Sequence, residues 1–243
     1  TERQQEGNLR AVGRVVLVLS GKGGVGKSTI TTELALALQH AGKKCEPDVN
    51  VFECSIYYKG CPQTFGRLVF VVAHSDLSLG FHISALIGQF VRDVAWGELD
   101  VLLVDTPPGT SDEHLAVLEN LRKHRVDGAV LVTTPQAVSI GDVRREITFC
   151  KKTGVKILGI VENMSGFVCP HCSHLTIRYY HDTLPDFLSL SLSLSLSVGS
   201  VPLDPLLAES IEEGRDFLQA FPESATYSSL RAIAESVLTR LQD

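Results

Sequence analysis

The sequence predicts an α/β protein, a mostly parallel sheet covered by helices on both faces. Short β-branched apolar runs recur at residues 14–19, 100–104, 128–133 and 156–161, with a further short one ending near Val201. Between them, residues 28–41 place Ile30, Leu34, Ala37, Leu38 and Ala41 on one helical face, and Leu86, Ile87, Phe90, Val91, Val94 and Ala95 draw a second stripe of the same period. Apolar runs alternating with amphipathic helices are the pattern of a parallel sheet sandwiched between helix layers.

Length and composition bound the reading further. A chain of 243 residues suffices for one large domain with a buried core, and residues 1–243 are read as that single domain. A hydrophobic fraction of 44% and a charged fraction of 21% belong to the folded, water-soluble class. There is no apolar run of 18 residues, and the first ten residues, TERQQEGNLR, are polar. No membrane span or secretory leader is expected, which leaves a cytoplasmic or nuclear location. The net charge of -6 argues against nucleic acid as the main partner, since that role needs clustered Lys and Arg. Six cysteines in such a chain point to reduced thiols, a metal or a cluster rather than a disulfide framework.

Taken in order, the first strand runs into helix 28–41, which ends before Gly42, where a left-handed residue closes a helix. Residues 45–80 then give no clean strand–helix rhythm, although a strand and a helix are due there. The second irregularity comes late. Residues 188–197 alternate Leu and Ser strictly, which has the period of a strand with one apolar face. We read the tract instead as an insertion or the translation of a CT dinucleotide repeat, whose alternating codons specify Ser and Leu.

Between the first apolar run and its helix stands GKGGVGKST, Gly21 to Thr29, which fits G-x-x-x-x-G-K-[ST] in the strand–loop–helix setting that motif requires. Gly21, Gly23, Gly24, Val25 and Gly26 form a loop whose backbone can wrap closely around phosphate oxygens. Successive N–H groups at the helix N-terminus supply oriented donors. Lys27 adds a mobile positive charge for the β- and γ-phosphates of ATP, Ser28 offers a hydroxyl to magnesium, and Thr29 continues the cradle. The fold is therefore expected to be the three-layer P-loop NTPase type. A second acidic position follows from DVLLVDTPPGTSDEH: an apolar strand ending in Asp105 sets a carboxylate at the C-terminal edge of the sheet, where such enzymes hold magnesium. Gly109, Thr110 and Asp112 are candidates for a loop sensing the γ-phosphate, and Asp112 equally suits a helix N-cap.

Lys22, directly after the first loop glycine, makes the motif GKGGxGK[ST], the signature of the deviant Walker A class. The segments LVLSGKGGVGKSTI, VDTPPGTSDEH, VTTPQAVSIGDVRRE, GIVENMSGFVCPHC and GSVPLDP together resemble the Mrp/Nbp branch of the deviant P-loop ATPases over roughly two-thirds of the chain. That resemblance implies an ATPase acting as a scaffold for cytosolic iron–sulfur cluster assembly. It implies that Lys22 reaches a partner subunit's nucleotide, that Lys27 and Ser28 bind phosphates and magnesium, and that Asp105 is the Walker B acid. It further implies that Asn163 reads the adenine and that Cys169 and Cys172 bind a labile [4Fe-4S] cluster shared between two subunits. The implied partners are a second copy, or the longer sister protein nucleotide-binding protein 1, and downstream cluster-transfer proteins, with no membrane and no nucleic acid.

Two departures accompany the resemblance. The family's second strand ends in Asp-x-Asp, whose first aspartate positions the attacking water; here only Asp48-Val49-Asn50 is available, so Asp48 is the one candidate, and ATP turnover is expected to suffer. After CPHC the family's Gly-rich segment is replaced by HLTIRYYHDTLPDFLSLSLSLSLS, so residues 173–198 depart as well.

Taken alone, C-x-x-C leaves several chemistries open. A redox pair needs a low-pKa thiol at a helix N-terminus. Zinc needs four ligands, to which His171, His174 or His181 would contribute. A cluster needs four thiolates, two from each of two subunits. Cys45, Cys54, Cys61 and Cys150 read as free thiols, Cys150 packed and sitting on the helix from Ser139. Two other functions compete with cluster assembly. A positioning ATPase of the Min or Par kind needs a basic amphipathic C-terminal helix, and YSSLRAIAESVLTRLQD carries little positive charge. A degenerate nucleotide-binding paralogue would account for the two irregular segments.

Overall fold

The computed structural model describes residues 8–42, 68–72, 96, 99–106, 108–109, 115, 118–119, 121, 126–169, 171–172, 174–176 and 196–242. Among the described residues seven strands make one sheet: β1 (Val12–Leu19), β2 (Leu68–Val72), β3 (Leu99–Asp105), β4 (Gly128–Thr133), β5 (Ile157–Val168), β6 (Leu175–Thr176) and β7 (Ser197–Leu203). β3 lies between β2 and β1, β4 follows β1, and β5 lies between β4 and β7. Each of these pairings is parallel, and only the short β5–β6 hairpin is antiparallel. The helices whose bounds fall among the described residues are α1 (Lys27–His40), α2 (Ala137–Thr153), α3 (Pro205–Glu213), α4 (Phe217–Ala220) and α5 (Ala225–Gln242).

Strand alternation separates two cores. Val15, Leu17 and Leu19 of β1 join Val143, Ile147 and Cys150 of α2 on one face. Val16 and Val18 join Ile30, Leu34 and Leu38 of α1 and Leu230, Ile233 and Val237 of α5 on the other. Burial on both faces is why these strands are apolar along most of their length. Each fully buried Leu or Ile contributes about 1.5–3 kcal/mol of transfer free energy. Cys150 is packed, as its place in the sequence suggested, and burial followed by the nearby Glu146 pushes its thiol up to about 12.

Several expectations are refined. Residues 45–80 do hold a strand: β2 pairs in parallel with β3 from Leu68↔Val101 to Val72↔Asp105, on the side of β3 away from β1. α2 begins two residues before Ser139. α1 closes as expected, with Ala41 at the cap and Gly42 at a φ of 80° just beyond it. β5 is far longer than the apolar run 156–161, continuing through Glu162 and Asn163 to Val168. The end of the Leu–Ser tract enters the sheet, because Leu196 accepts the Ile160 N–H at 2.7 Å and Ser197 opens β7. Asp48, Thr110, Asp112, Cys45, Cys54, Cys61, His181 and the stripe from Leu86 to Ala95 lie outside the described residues.

Candidate nucleotide and metal sites

Parallel pairing brings the C-terminal ends of β1 and β3 side by side, with Val18 opposite Asp105. The loop after β1 therefore emerges against the carboxylate of β3. Gly26, with a φ of 76°, turns this loop directly into α1, which has no side-chain N-cap and no acidic residue in its first turn. The free N–H groups and positive dipole end of α1 are thus left for an external anion.

Two glycines are dictated by close approach. A Cβ on Gly21 would sit 2.4 Å from the Cβ of Asp142 on α2, and one on Gly26 would sit 2.2 Å from Asn163 Nδ2. The loop is held from three sides. Gly109 donates its N–H to the Ser20 carbonyl at 2.8 Å. Asn163 Nδ2 donates to the Val25 carbonyl at 2.9 Å. Lys22 Nζ donates to Gln136 Oε1 at 3.0 Å.

Asp105 is the hub. Its Oδ1 takes the ammonium of Lys27 in a close ion pair and accepts from Thr31 Oγ1 at 3.3 Å, while Oδ2 accepts from Ser28 Oγ at 2.6 Å. Lys27 is only 9% exposed and Asp105 1%, so Lys27 is not the solvated loop residue its position in the sequence suggests. Burial lowers the Lys27 pKa, and the Asp105 carboxylate works against that shift. Ser28 and Asp105 offer only hard oxygen donors, side by side, which fits magnesium. Thr31 was not evident from the motif, although it lies one helical turn beyond Lys27, on the same face.

The cysteines lie on the hairpin formed by β5 and β6. Pairing of Val168 with Leu175 and the Cys169 N–H bond to the His174 carbonyl at 3.0 Å close the turn that holds Cys169, His171 and Cys172. The His171 amide, then the Cys172 amide and thiol, hydrogen-bond Cys169 and lower its pKa. Amides aimed at a sulfur stabilise the thiolate, which is the form that binds metal. Among the described residues no cluster of three or more His, Cys, Asp or Glu could hold a metal ion, so within one described chain the pair lacks a full ligand set.

Asn163 lies on the same strand, six residues before Cys169. Next to it Met164 has a φ of 59°, uncommon for a residue other than glycine, at an irregularity in the β5–β7 register. Burial raises the Glu162 pKa, opposed by the Ser165 hydroxyl at 2.5 Å.

The profile of the NUBPL iron-transfer P-loop NTPases matches residues 11–68 and 73–238. This chain belongs to that family. The match is interrupted inside β2. Among relatives, the cytosolic Fe-S cluster assembly factor nubp2 of Danio rerio is 60% identical over 263 aligned positions, covering 97% of each chain. The corresponding factor of Homo sapiens is 48% identical, covering 96% of this chain and 95% of the relative. Both alignments are longer than this chain's 243 residues, so those relatives carry residues with no counterpart here. A nucleotide-binding protein of Archaeoglobus fulgidus, solved in complex with ADP, superposes with a TM-score of 0.64 at 31% identity, covering 86% of this chain and 90% of that one. The cell-division ATPase MinD of Pyrococcus furiosus superposes equally well at 22% identity, which shows the shared P-loop NTPase fold alone.

Proposed function

We propose that this NUBPL-family chain is an ATP-dependent scaffold that assembles and hands on iron–sulfur clusters in the cytosol, working as a dimer with Cys169 and Cys172 of each subunit holding a shared [4Fe-4S] cargo. The observation that carries the reading is the Cys169–Cys172 turn, a thiolate-stabilising pair directly after the strand that also holds the phosphate loop through Asn163. Two thiolates make half of a cluster's ligand set, and a second copy supplies the rest. Met164, Phe167 and Leu203, with Phe167 and Leu203 in register, leave apolar surface on the strands next to the turn that a second subunit would cover. A pairing with nucleotide-binding protein 1 would use the same surface.

ATP would lie along the loop from Gly21 to Thr29 with its phosphates at the start of α1. Ser28 and Asp105 would hold magnesium, which when bound neutralises developing phosphate charge. For the nucleotide to bind, Lys27 exchanges its pairing with Asp105 for the phosphates. Asn163, which already donates to the Val25 carbonyl beside the loop, is assigned the adenine-reading role. Lys22 completes the charge around a partner subunit's nucleotide, and Asp48 is assigned the water-positioning role.

The competing positioning-ATPase reading needs a C-terminal helix free to bind a membrane. In α5, Leu230, Ile233, Ala234 and Val237 are buried in the core, and Arg240 donates to the Leu158 and Ser197 carbonyls at 2.7 and 3.1 Å. That apolar face is already occupied. No described helix is long and apolar enough to cross a membrane.

The test is iron and acid-labile sulfide in protein purified without oxygen, compared with a Cys169→Ser/Cys172→Ser variant. Serine oxygen is a harder, poorly ionised ligand, so iron binding should be lost while ATP binding persists. Recovery of one zinc per chain with no reconstitution by iron and sulfide would overturn the assembly role.

A further inference from the structure

We infer that Gln136 is a positioning residue for Lys22: in the nucleotide-free chain it holds the signature lysine within its own subunit, and this bond must open before Lys22 can reach a partner. The inference rests on the proposed role of Lys22 across the dimer.

The geometry is specific. Gln136 stands at the N-cap position of α2, where its backbone is extended, yet its side chain makes no capping hydrogen bond. Instead Oε1 accepts from Lys22 Nζ at 3.0 Å, across 114 residues of sequence. The approach is fixed from below. Gly21 lies so close to Asp142 on the same helix that a Cβ would fall 2.9 Å from the Asp142 carbonyl carbon, so the opening of the loop is pressed onto α2 one residue before Lys22. The two loop lysines therefore have separate partners, Lys27 on Asp105 and Lys22 on Gln136.

A neutral amide oxygen suits a latch that has to release. An exposed cation–dipole bond restrains a flexible ammonium without the strength of a buried ion pair. Phosphate oxygens on a neighbouring subunit carry full negative charge and can outbid it. Binding of ATP and a second copy would then be linked to release from Gln136, and the resting chain would keep Lys22 away from the interface until both arrive.

Two near-isosteric substitutions separate this from a structural role. Gln136→Met keeps the length of the side chain and removes the acceptor. Gln136→Glu keeps the length and makes the acceptor anionic. Neither removes a helix cap, because the native side chain provides none. The measurement is the protein concentration at half-maximal ATP turnover, together with ATP-dependent association by sedimentation velocity and ADP affinity of each variant. Gln136→Met should lower the half-maximal concentration and Gln136→Glu raise it, each by roughly two- to fivefold, the range of an exposed ion pair. ADP affinity should stay unchanged in both. Shifts in the same direction, or none, overturn the latch. Lys22→Met in parallel distinguishes the two levels: if it loses turnover while the Gln136 variants match wild type, the latch alone fails. If Lys22→Met turns over ATP normally, the role of Lys22 across the dimer fails with it.

Discussion

Gly26→Ala tests the junction between the phosphate loop and β5. Two independent penalties arise from the structure. The φ of 76° is left-handed, and an L-residue with a Cβ there loses about 1–2 kcal/mol. The new methyl also falls 2.2 Å from Asn163 Nδ2, so Asn163 must withdraw and give up its bond to the Val25 carbonyl, worth about 1 kcal/mol. The total of about 2–3 kcal/mol corresponds to a fall in Tm of roughly 5–10 °C for a chain of this size. Urea unfolding of the wild type, Gly26→Ala, Asn163→Ala and the double variant completes a cycle. With Asn163 truncated, Gly26→Ala should retain only the backbone penalty, a coupling of about 1 kcal/mol. Equal penalties in both backgrounds would show that Asn163 does not press on the loop, and the account of the junction would be wrong.

Lys27→Ala should abolish ATP binding, read by equilibrium dialysis, and should also destabilise the apo fold by about 3 kcal/mol, because Asp105 would be left buried without its cation. Adding Asp105→Asn should restore most of that stability but not binding. Burial, with Asp216 nearby, raises Glu33 to about 8, and burial, with Asp142 nearby, raises Glu146 to about 7. Each native carboxyl therefore keeps a proton that the unfolded chain has lost. The contribution of these two carboxyls to stability should be full below about pH 4.5 and fall as pH rises toward 8, by at most about 1.4 kcal/mol per pH unit per carboxyl. Denaturation between pH 4 and 9 should show that slope. Glu33→Gln should flatten it between 7 and 8, where Glu146→Gln should not. Asp48→Ala should slow single-turnover ATP hydrolysis at least tenfold if Asp48 positions water, with ATP affinity retained; unchanged turnover would assign that role elsewhere.

The phosphate site was legible because its chemistry is local. Nine consecutive residues specify strand end, loop and helix start, and β4 spans the same six residues that its apolar run marks. Asp105 was legible for the same reason, as the polar stop of an apolar strand. The burial of Lys27 was not, since it depends on β3 folding across from 78 residues away. Gln136 was equally hidden, because nothing near it in sequence separates it from an ordinary polar residue at a helix start. The length of β5 escaped because Glu162, Asn163 and Gly166 interrupt the apolar period, and the reason for Asn163 lies in the phosphate loop it touches rather than in the strand. β2 was hidden within a stretch whose surroundings show no helix–strand rhythm, and only its pairing with β3 defines it.

β5 also makes the spacing between the two sites a matter of counting. Asn163 grips the loop, and Cys169 opens the thiol turn six residues later on the same chain, a separation shorter than the roughly 20 Å of an unbroken strand because Asn163 to Phe167 advances only from Val201 to Leu203 along β7. No hinge angle between bodies sets it. A single residue inserted between those positions would advance the thiols by one step and swap which side of the ribbon each later side chain faces. The ruler is therefore digital: its length changes only by whole residues, and an odd change puts the cysteines on the wrong side even where every bond in the phosphate loop is kept.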